Sequence, residues 1–237
     1  RYDLASGDTE NLGIIVPHAG SPSMECHPGR GMLYGLTAPG KTRPDQKPCF
    51  FAYDIRERKR VFVGGPPSTV NRAVIVDRHG RAYYESEGVL QCYDPETNEL
   101  KATDVRVPGD GRLRAAGKPD ADGVVYCFTH KGLIFSFDPG ARKVKEIVPA
   151  FVTKRLYTTS CELSPGGRYL YYVPSAHGGS RAHGTAVLQL DVKTGRRKVI
   201  AFLNEYMRRQ EDYNLGGTYG LALSADGADL FVNWNGG

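Results

Sequence analysis

A single short pattern recurs along the 237-residue chain about every 40 to 60 residues, the mark of a repeat architecture. The fullest copy runs from Cys161 to Leu203. It opens with a short apolar run, turns at Ser164-Pro165-Gly166-Gly167 and continues as Tyr169-Leu170-Tyr171-Tyr172-Val173. A glycine- and histidine-rich loop follows, then an apolar strand from Ala186 that closes on Asp191. A turn at Lys193-Thr194-Gly195 leads into a last strand, Lys198 to Leu203. Short strands joined by Gly, Pro and Asp turns predict one four-stranded antiparallel meander.

Two marks locate the other copies. Turn signals sit at His27-Pro28-Gly29-Arg30, Asp77 to Arg81, Asp120 to Gly123 and Ser224 to Gly227, each ahead of an apolar or aromatic run. Apolar strands closing on aspartate end at Asp3, Asp54, Asp94, Asp138 and Asp191. An aspartate at the start of a turn accepts hydrogen bonds from backbone N–H groups just ahead of it, so these residues read as turn formers, not catalysts. Their register predicts blades over 22–64, 69–107, 113–148 and 157–203. It also predicts a split blade made of residues 1–16 and 218–237. One meander cannot bury both of its faces, whereas a ring of them packs sheet against sheet. The expected fold is therefore an all-β propeller in one domain, 1–237. It has five blades if the termini close it, or belongs to a ring of six to eight. The stretch from Asn204 to Tyr213 breaks the pattern and predicts one or two helical turns.

Composition agrees with many brief strands: glycine (29), proline (15) and tyrosine (14) are plentiful. No apolar run approaches the roughly 18 residues that span a bilayer. The net charge of +5 comes without a long Lys/Arg run or nucleic-acid motif, so nucleic acid is not an expected partner. The five cysteines lack CxxC spacing and read as buried, unpaired thiols. The sequence begins at Arg1 and displays no signal peptide, as expected of a processed chain or a piece of a longer one. The expected compartment is the bacterial periplasm or the exterior, ahead of the cytoplasm.

The segments Ser224-Ala225-Asp226-Gly227-Ala228-Asp229-Leu230-Phe231-Val232 and Ser164-Pro165-Gly166-Gly167-Arg168-Tyr169-Leu170-Tyr171-Tyr172 carry a resemblance. With them the chain resembles the bacterial β-propellers that include TolB-like, YVTN-type, lactonase-like and SMP-30-like proteins. The resemblance covers nearly the whole chain and implies a fold, not a chemistry. Within that fold, the loops entering each innermost strand and those joining second to third strands open on one face. The first set carries His18, Arg72, Arg114, Arg155 and Tyr219, and the second carries Glu85, Glu87, His130, His177 and His183.

A mouth rich in arginine concentrates anions and suits carboxylate or phosphate. Arg72, Arg114, Arg155 and Tyr219 are the candidate substrate-binding residues, for an anionic small molecule or oligosaccharide. His177 and His183, flanked by glycines, are the candidate catalytic groups. With His18 and His130 they are also candidate ligands for a divalent metal (Mn, Ca or Zn), which would acidify a water or a C–H beside a carboxylate. Oligogalacturonate lyases resemble this general arrangement of a propeller funnel with histidine ligands and basic residues. Glu25 and Glu162 occupy matching places on two inner strands, facing the channel as ligand or base, or else paired to an arginine. Two functions are expected: a lyase- or lactonase-type enzyme on an anionic carbohydrate-like substrate, or a non-catalytic propeller that binds a ligand or protein partner.

Overall fold

The computed structural model describes residues 1–69, 71–152, 157–174, 185–212 and 215–236. Strands dominate them, in consecutive antiparallel meanders. The first sheet holds β1 (Ala19–His27), β2 (Met32–Pro39), β3 (Phe50–Asp54) and β4 (Lys59–Gly64). The second holds β5 (Ile75–Val76), β6 (Ala82–Ser86), β7 (Val89–Asp94) and β8 (Glu99–Arg106). In the third are β9 (Leu113–Ala116), β10 (Val125–Thr129), β11 (Leu133–Asp138) and β12 (Lys143–Pro149). The fourth comprises β13 (Cys161–Leu163), β14 (Tyr169–Tyr172), β15 (Ala186–Asp191) and β16 (Arg197–Phe202). A nine-residue helix, α1 (Leu203–Glu211), leads to the pair β17 (Leu215–Leu223) and β18 (Leu230–Gly236). This is the all-β propeller architecture.

The closing aspartates do what turn chemistry asks of them. Asp54 Oδ1 accepts from Arg56 N and Glu57 N at 2.8 and 2.9 Å, and Asp191 Oδ1 from Lys193 N and Thr194 N at 3.0 and 3.1 Å. Asp94 and Asp138 make the equivalent bonds to Glu96 N and Ala141 N. The chain then reverses through one left-handed residue, Arg58, Asn98, Arg142 or Gly195. Among these only Gly195 escapes the Cβ penalty of that conformation.

Sheet stacking explains why so many strands are apolar without a break. Successive side chains of a strand face opposite ways, and here both faces are covered. Val74, Val76 and Tyr84 of the second sheet pack on Tyr34, Phe50 and Ala52 of the first. Their sequence neighbours Ala73, Ile75 and Tyr83 pack on Leu113, Val125 and Phe137 of the third. A further cluster joins third and fourth sheets through Phe128, Ile134, Leu170 and Tyr172. Second-strand tyrosines also bond across the interfaces: Tyr84 Oη donates to Gly65 O at 2.8 Å and Tyr172 Oη to Ala150 O at 3.0 Å. On the opposite face Tyr34 Oη donates to Gly80 O at 2.7 Å, where Arg30 fills the space a Cβ on Gly80 would need.

Among the described residues no strand of 1–16 pairs with β17 or β18 as the split blade expects. Among the described residues β17 and β18 pair only with each other. Residues 1–16 instead lie along the first sheet, where Tyr53 Oη donates to Leu12 O at 2.9 Å and Arg60 Nη1 to Ile15 O at 3.0 Å. An Arg58–Glu10 ion pair adds to this seam. The helix exceeds the expected one or two turns. Glu205 bridges to Arg208 and Arg209 one turn on, and Asp212 ends the helix in the left-handed conformation. All five cysteines are free; Cys127 and Cys161 are buried, Cys49 and Cys92 partly so, and Cys26 is exposed. Burial pushes the thiols of Cys127 and Cys161 up, so neither is a ready nucleophile. Among the described residues, no helix is long and apolar enough to cross a membrane.

Candidate functional site

The innermost strands surround a central channel. Its cavity of about 280 Å³ takes lining residues from β1, β5, β9, β13 and β17 or from their immediate flanks. All these strands run the same way through the ring, so strand position sorts the lining into two ends. Arg72, ahead of β5, belongs to one end, and Tyr219, midway along β17, goes with it through its electrostatic action on Arg114. Glu25 near the end of β1, Glu162 in β13 and Lys118 just after β9 belong to the other.

The arginine end is built by adjoining loops. Asn71, almost fully buried, donates from Nδ2 to Glu85 O at 3.0 Å and accepts from Ala73 N at 3.0 Å, which pins the approach to β5. Arg72 is half-buried, and its Nη1 donates to the carbonyls of Thr69 and Asn71, both at 2.8 Å. These bonds orient the guanidinium without neutralising it, and no carboxylate pairs with it among the described residues. Burial lowers its pKa.

Arg114, on β9, places its Cζ 4.2 Å from the centroid of the Tyr157 ring, a cation–π contact. Its pKa is pushed down to about 10, first by burial and then by the positive charge of Arg72, with Tyr219 acting in the opposite direction. Two guanidinium groups thus feel one another in a partly desolvated place. His130, between β10 and β11, stacks on the same Tyr157 ring at 5.5 Å and 22°. Burial, then the charge of Arg114, lowers its pKa, so the neutral imidazole is favoured; Asp110 opposes the shift. His130 Nδ1 is buried with no hydrogen-bond partner among the described residues.

The structure therefore brings together Arg72, Arg114, Tyr219 and His130 from the residues the sequence nominates. His18 stands apart, exposed ahead of β1, with its Nδ1 3.5 Å from Thr42 Oγ1. His177, His183 and Arg155 lie outside the described residues. Among the described residues no three His, Cys, Asp or Glu side chains gather into a metal-binding group.

At the other end, Glu25 and Glu162 line the cavity as the matching strand positions predict. Burial raises the Glu162 pKa; Lys118 works against that shift, and the charge of Glu25 adds to it. The neighbouring cation is thus a lysine and not an arginine. Sequence reasoning missed Tyr157 and Lys118. Tyr157 opens the approach to β13 just as Arg72 opens the approach to β5. That positional match was the available signal.

No protein-family profile matches the chain, and no curated protein sequence matches it significantly. Solved structures do resemble it. An extracellular domain from B. thetaiotaomicron shares a TM-score of 0.55 at 15% identity over 90% of this chain. A chain of the mitotic checkpoint complex gives 0.66 at 11% identity over 99%. A protein from Lactobacillus plantarum gives 0.66 at 17% identity, also over 99%. The chain spans 25%, 63% and 70% of those chains respectively. At these identities the likeness establishes the all-β fold and leaves the chemistry to the residues themselves.

Proposed function

We propose that the protein binds an anionic, carbohydrate-like small molecule at the arginine end of the channel, its carboxylate held by Arg72 and Arg114 beside Tyr219. One observation carries this reading. Arg72 sits half-buried in the channel wall, its hydrogen bonds go to backbone carbonyls, and the Arg114 guanidinium lies close enough for the charge of Arg72 to add to burial in lowering the Arg114 pKa. Gathering like charges in a desolvated place is unfavourable unless an anion completes the site. Arginine forks match carboxylate geometry, and ring faces such as Tyr219 suit the apolar face of a sugar. The cavity volume accommodates a small molecule, with longer oligomers extending out of the mouth. A periplasmic or extracellular setting goes with this reading, since one structural neighbour is an extracellular domain.

A lyase- or lactonase-type reaction at the same place is the second reading, and His130 favours it. A histidine held neutral beside an anion-binding arginine has the protonation state a general base needs.

Calorimetric titration with galacturonate and with galactose tests the first reading. Galacturonate binds and galactose does not, and Arg72→Gln weakens the acid by about tenfold or more. Equal binding of the two sugars, or an unaffected Arg72→Gln variant, overturns it. Incubation with an oligogalacturonate and with an aldonolactone tests the second: an unsaturated product from the first, or the ring-opened acid from hydrolysis of the second, that His130→Gln no longer forms supports catalysis, and both substrates unchanged removes it.

A further inference from the structure

A second cleft opens between the second and third sheets. It has a volume of about 550 Å³, larger than the central channel, and none of its lining residues is shared with it. Its walls come from three loops: the one before β5, the β6–β7 turn and the one before β9. Ser68, Thr69, Glu87, Asp110 and Arg112 supply its polar surface.

The walls are fixed by a carboxylate behind them. Glu85 is fully buried, and its Oε1 accepts from Ser68 Oγ at 2.6 Å and from Gly88 N at 2.7 Å, both cleft residues. The Glu85 carbonyl also accepts from Ser68 N at 3.1 Å, and Glu87 N donates to Ser68 Oγ at 3.0 Å. Loops tied this way are pre-organised. Yet Glu85 Oε2 has no hydrogen-bond partner among the described residues, and neither has Asp110 Oδ1 in the cleft wall, although both atoms are buried. Buried carboxylate oxygens are costly unless a donor meets them. Of the charged side chains that line the cleft, Glu87 and Asp110 are acidic and Arg112 is basic, whereas those at the channel mouth are arginines.

We propose that this cleft is a second ligand site that takes an organic cation, a primary ammonium or guanidinium group whose several N–H donors meet the carboxylates of Asp110 and Glu87 in the cleft wall. A bare metal ion fits less well, because no three ligating side chains converge among the described residues. A neutral polyol would satisfy the acceptors but leave the excess negative charge unanswered. This site stands independently of the anion reading for the channel.

The test uses the whole chain and three probes of similar size: butylammonium, agmatine and n-butanol. Amide chemical shifts are followed on titration of wild type, Asp110→Asn, Glu87→Gln and Lys143→Gln. The two cations bind saturably with shifts confined to the three loops, and butanol does not bind. Asp110→Asn weakens cation binding by about tenfold. Glu87→Gln, an exposed change that leaves the fold intact, weakens it by a smaller factor, and Lys143→Gln, an exposed change on β12 away from both cavities, leaves it unchanged. The proposal is overturned if neither cation binds, if butanol binds equally well, or if Glu87→Gln and Asp110→Asn both bind as wild type does.

Discussion

The interface between the first and second sheets and the one between the second and third are built by opposite faces of the same strands, yet they differ in kind. The first is aromatic. Phe50 stacks on Tyr84 at 5.0 Å and 9°, tilts against Tyr93 at 5.5 Å, and Phe62 closes the group at 5.1 Å from Tyr93. The second is mostly aliphatic, with Leu90, Val105, Val107, Leu113 and Val125. At its loop end it contains a fully buried carboxylate, Glu85, and the cleft in front of it. Adjacent residues of β6, Tyr84 and Glu85, face one interface each. Packing dominates the first interface, and buried polar groups collect at the second.

The largest effect expected from this contrast is at Tyr84. Its ring is fully buried between sheets and its hydroxyl bonds Gly65 O. Tyr84→Ala should cost about 4 kcal/mol in urea unfolding, the scale for emptying a large aromatic site. Tyr84→Phe should cost about 1 kcal/mol, the net worth of one hydrogen bond. Equal losses in the two variants would mean that the hydroxyl, and not ring stacking, joins the sheets.

The comparison is sharpened one residue on. Glu85→Ala strands Ser68 Oγ and Gly88 N and should cost about 2 kcal/mol. The loss is smaller than at Tyr84 because the wild-type side chain already has one unpaired oxygen. Amide exchange should quicken in the loops carrying Ser68 and Gly88 while the strand core keeps its protection. A uniform loss of protection would show that Glu85 supports the whole interface and not the cleft.

How far this division is legible in sequence depends on range. Turn chemistry is local: Asp54, Asp94, Asp138 and Asp191 announce their turns because each bonds to nitrogens two or three residues away. Sheet pairing follows from the repeat, since consecutive meanders involve only neighbours in the chain. The lining of the channel is readable in part for the same reason, as Arg72 and Tyr219 each stand five residues ahead of a turn residue, Asp77 and Ser224. What pairs across distance was not. Nothing near Tyr53 in sequence reveals that residues 1–16 lie against it instead of beside β18. Likewise Tyr157 meets Arg114 and His130 only through the curvature of the ring, and Asp110 faces a cleft whose other wall is some 40 residues earlier.

A smaller effect follows from His130, which borders the second interface. The groups acting on its imidazole are Arg114, Arg112 and Lys131, which disfavour the charged form, and Asp110, which favours it. Its folded pKa lies below the ordinary value of about 6.5, so the unfolded chain takes up the proton first. Stability is therefore at its full value above about 6.5 and declines as pH falls below that point, levelling off once the folded pKa is passed. His130→Gln should flatten that slope in unfolding curves recorded at successive pH values, whereas Tyr84→Phe should retain it. A slope unchanged by His130→Gln would assign the acid sensitivity to another group.

The smallest expected change in stability is at Arg72, and its sign separates a binding residue from a packing one. One of its hydrogen bonds goes to the exposed Thr69 carbonyl, which water can also serve, and the other to the part-buried carbonyl of Asn71. Removing the charge relieves both its own desolvation and its repulsion of Arg114. Arg72→Gln should therefore leave stability within roughly 0.5 kcal/mol of wild type, or raise it, while weakening binding at the channel mouth. The same change should move the Arg114 pKa upward, because burial alone would then depress it. In contrast, a loss of stability comparable to that of Glu85→Ala would identify Arg72 as a brace for the loop before β5. The basic mouth would then be a by-product of packing, and the division of the second sheet between a packed side and a binding side would fail at the residue on which the channel reading depends.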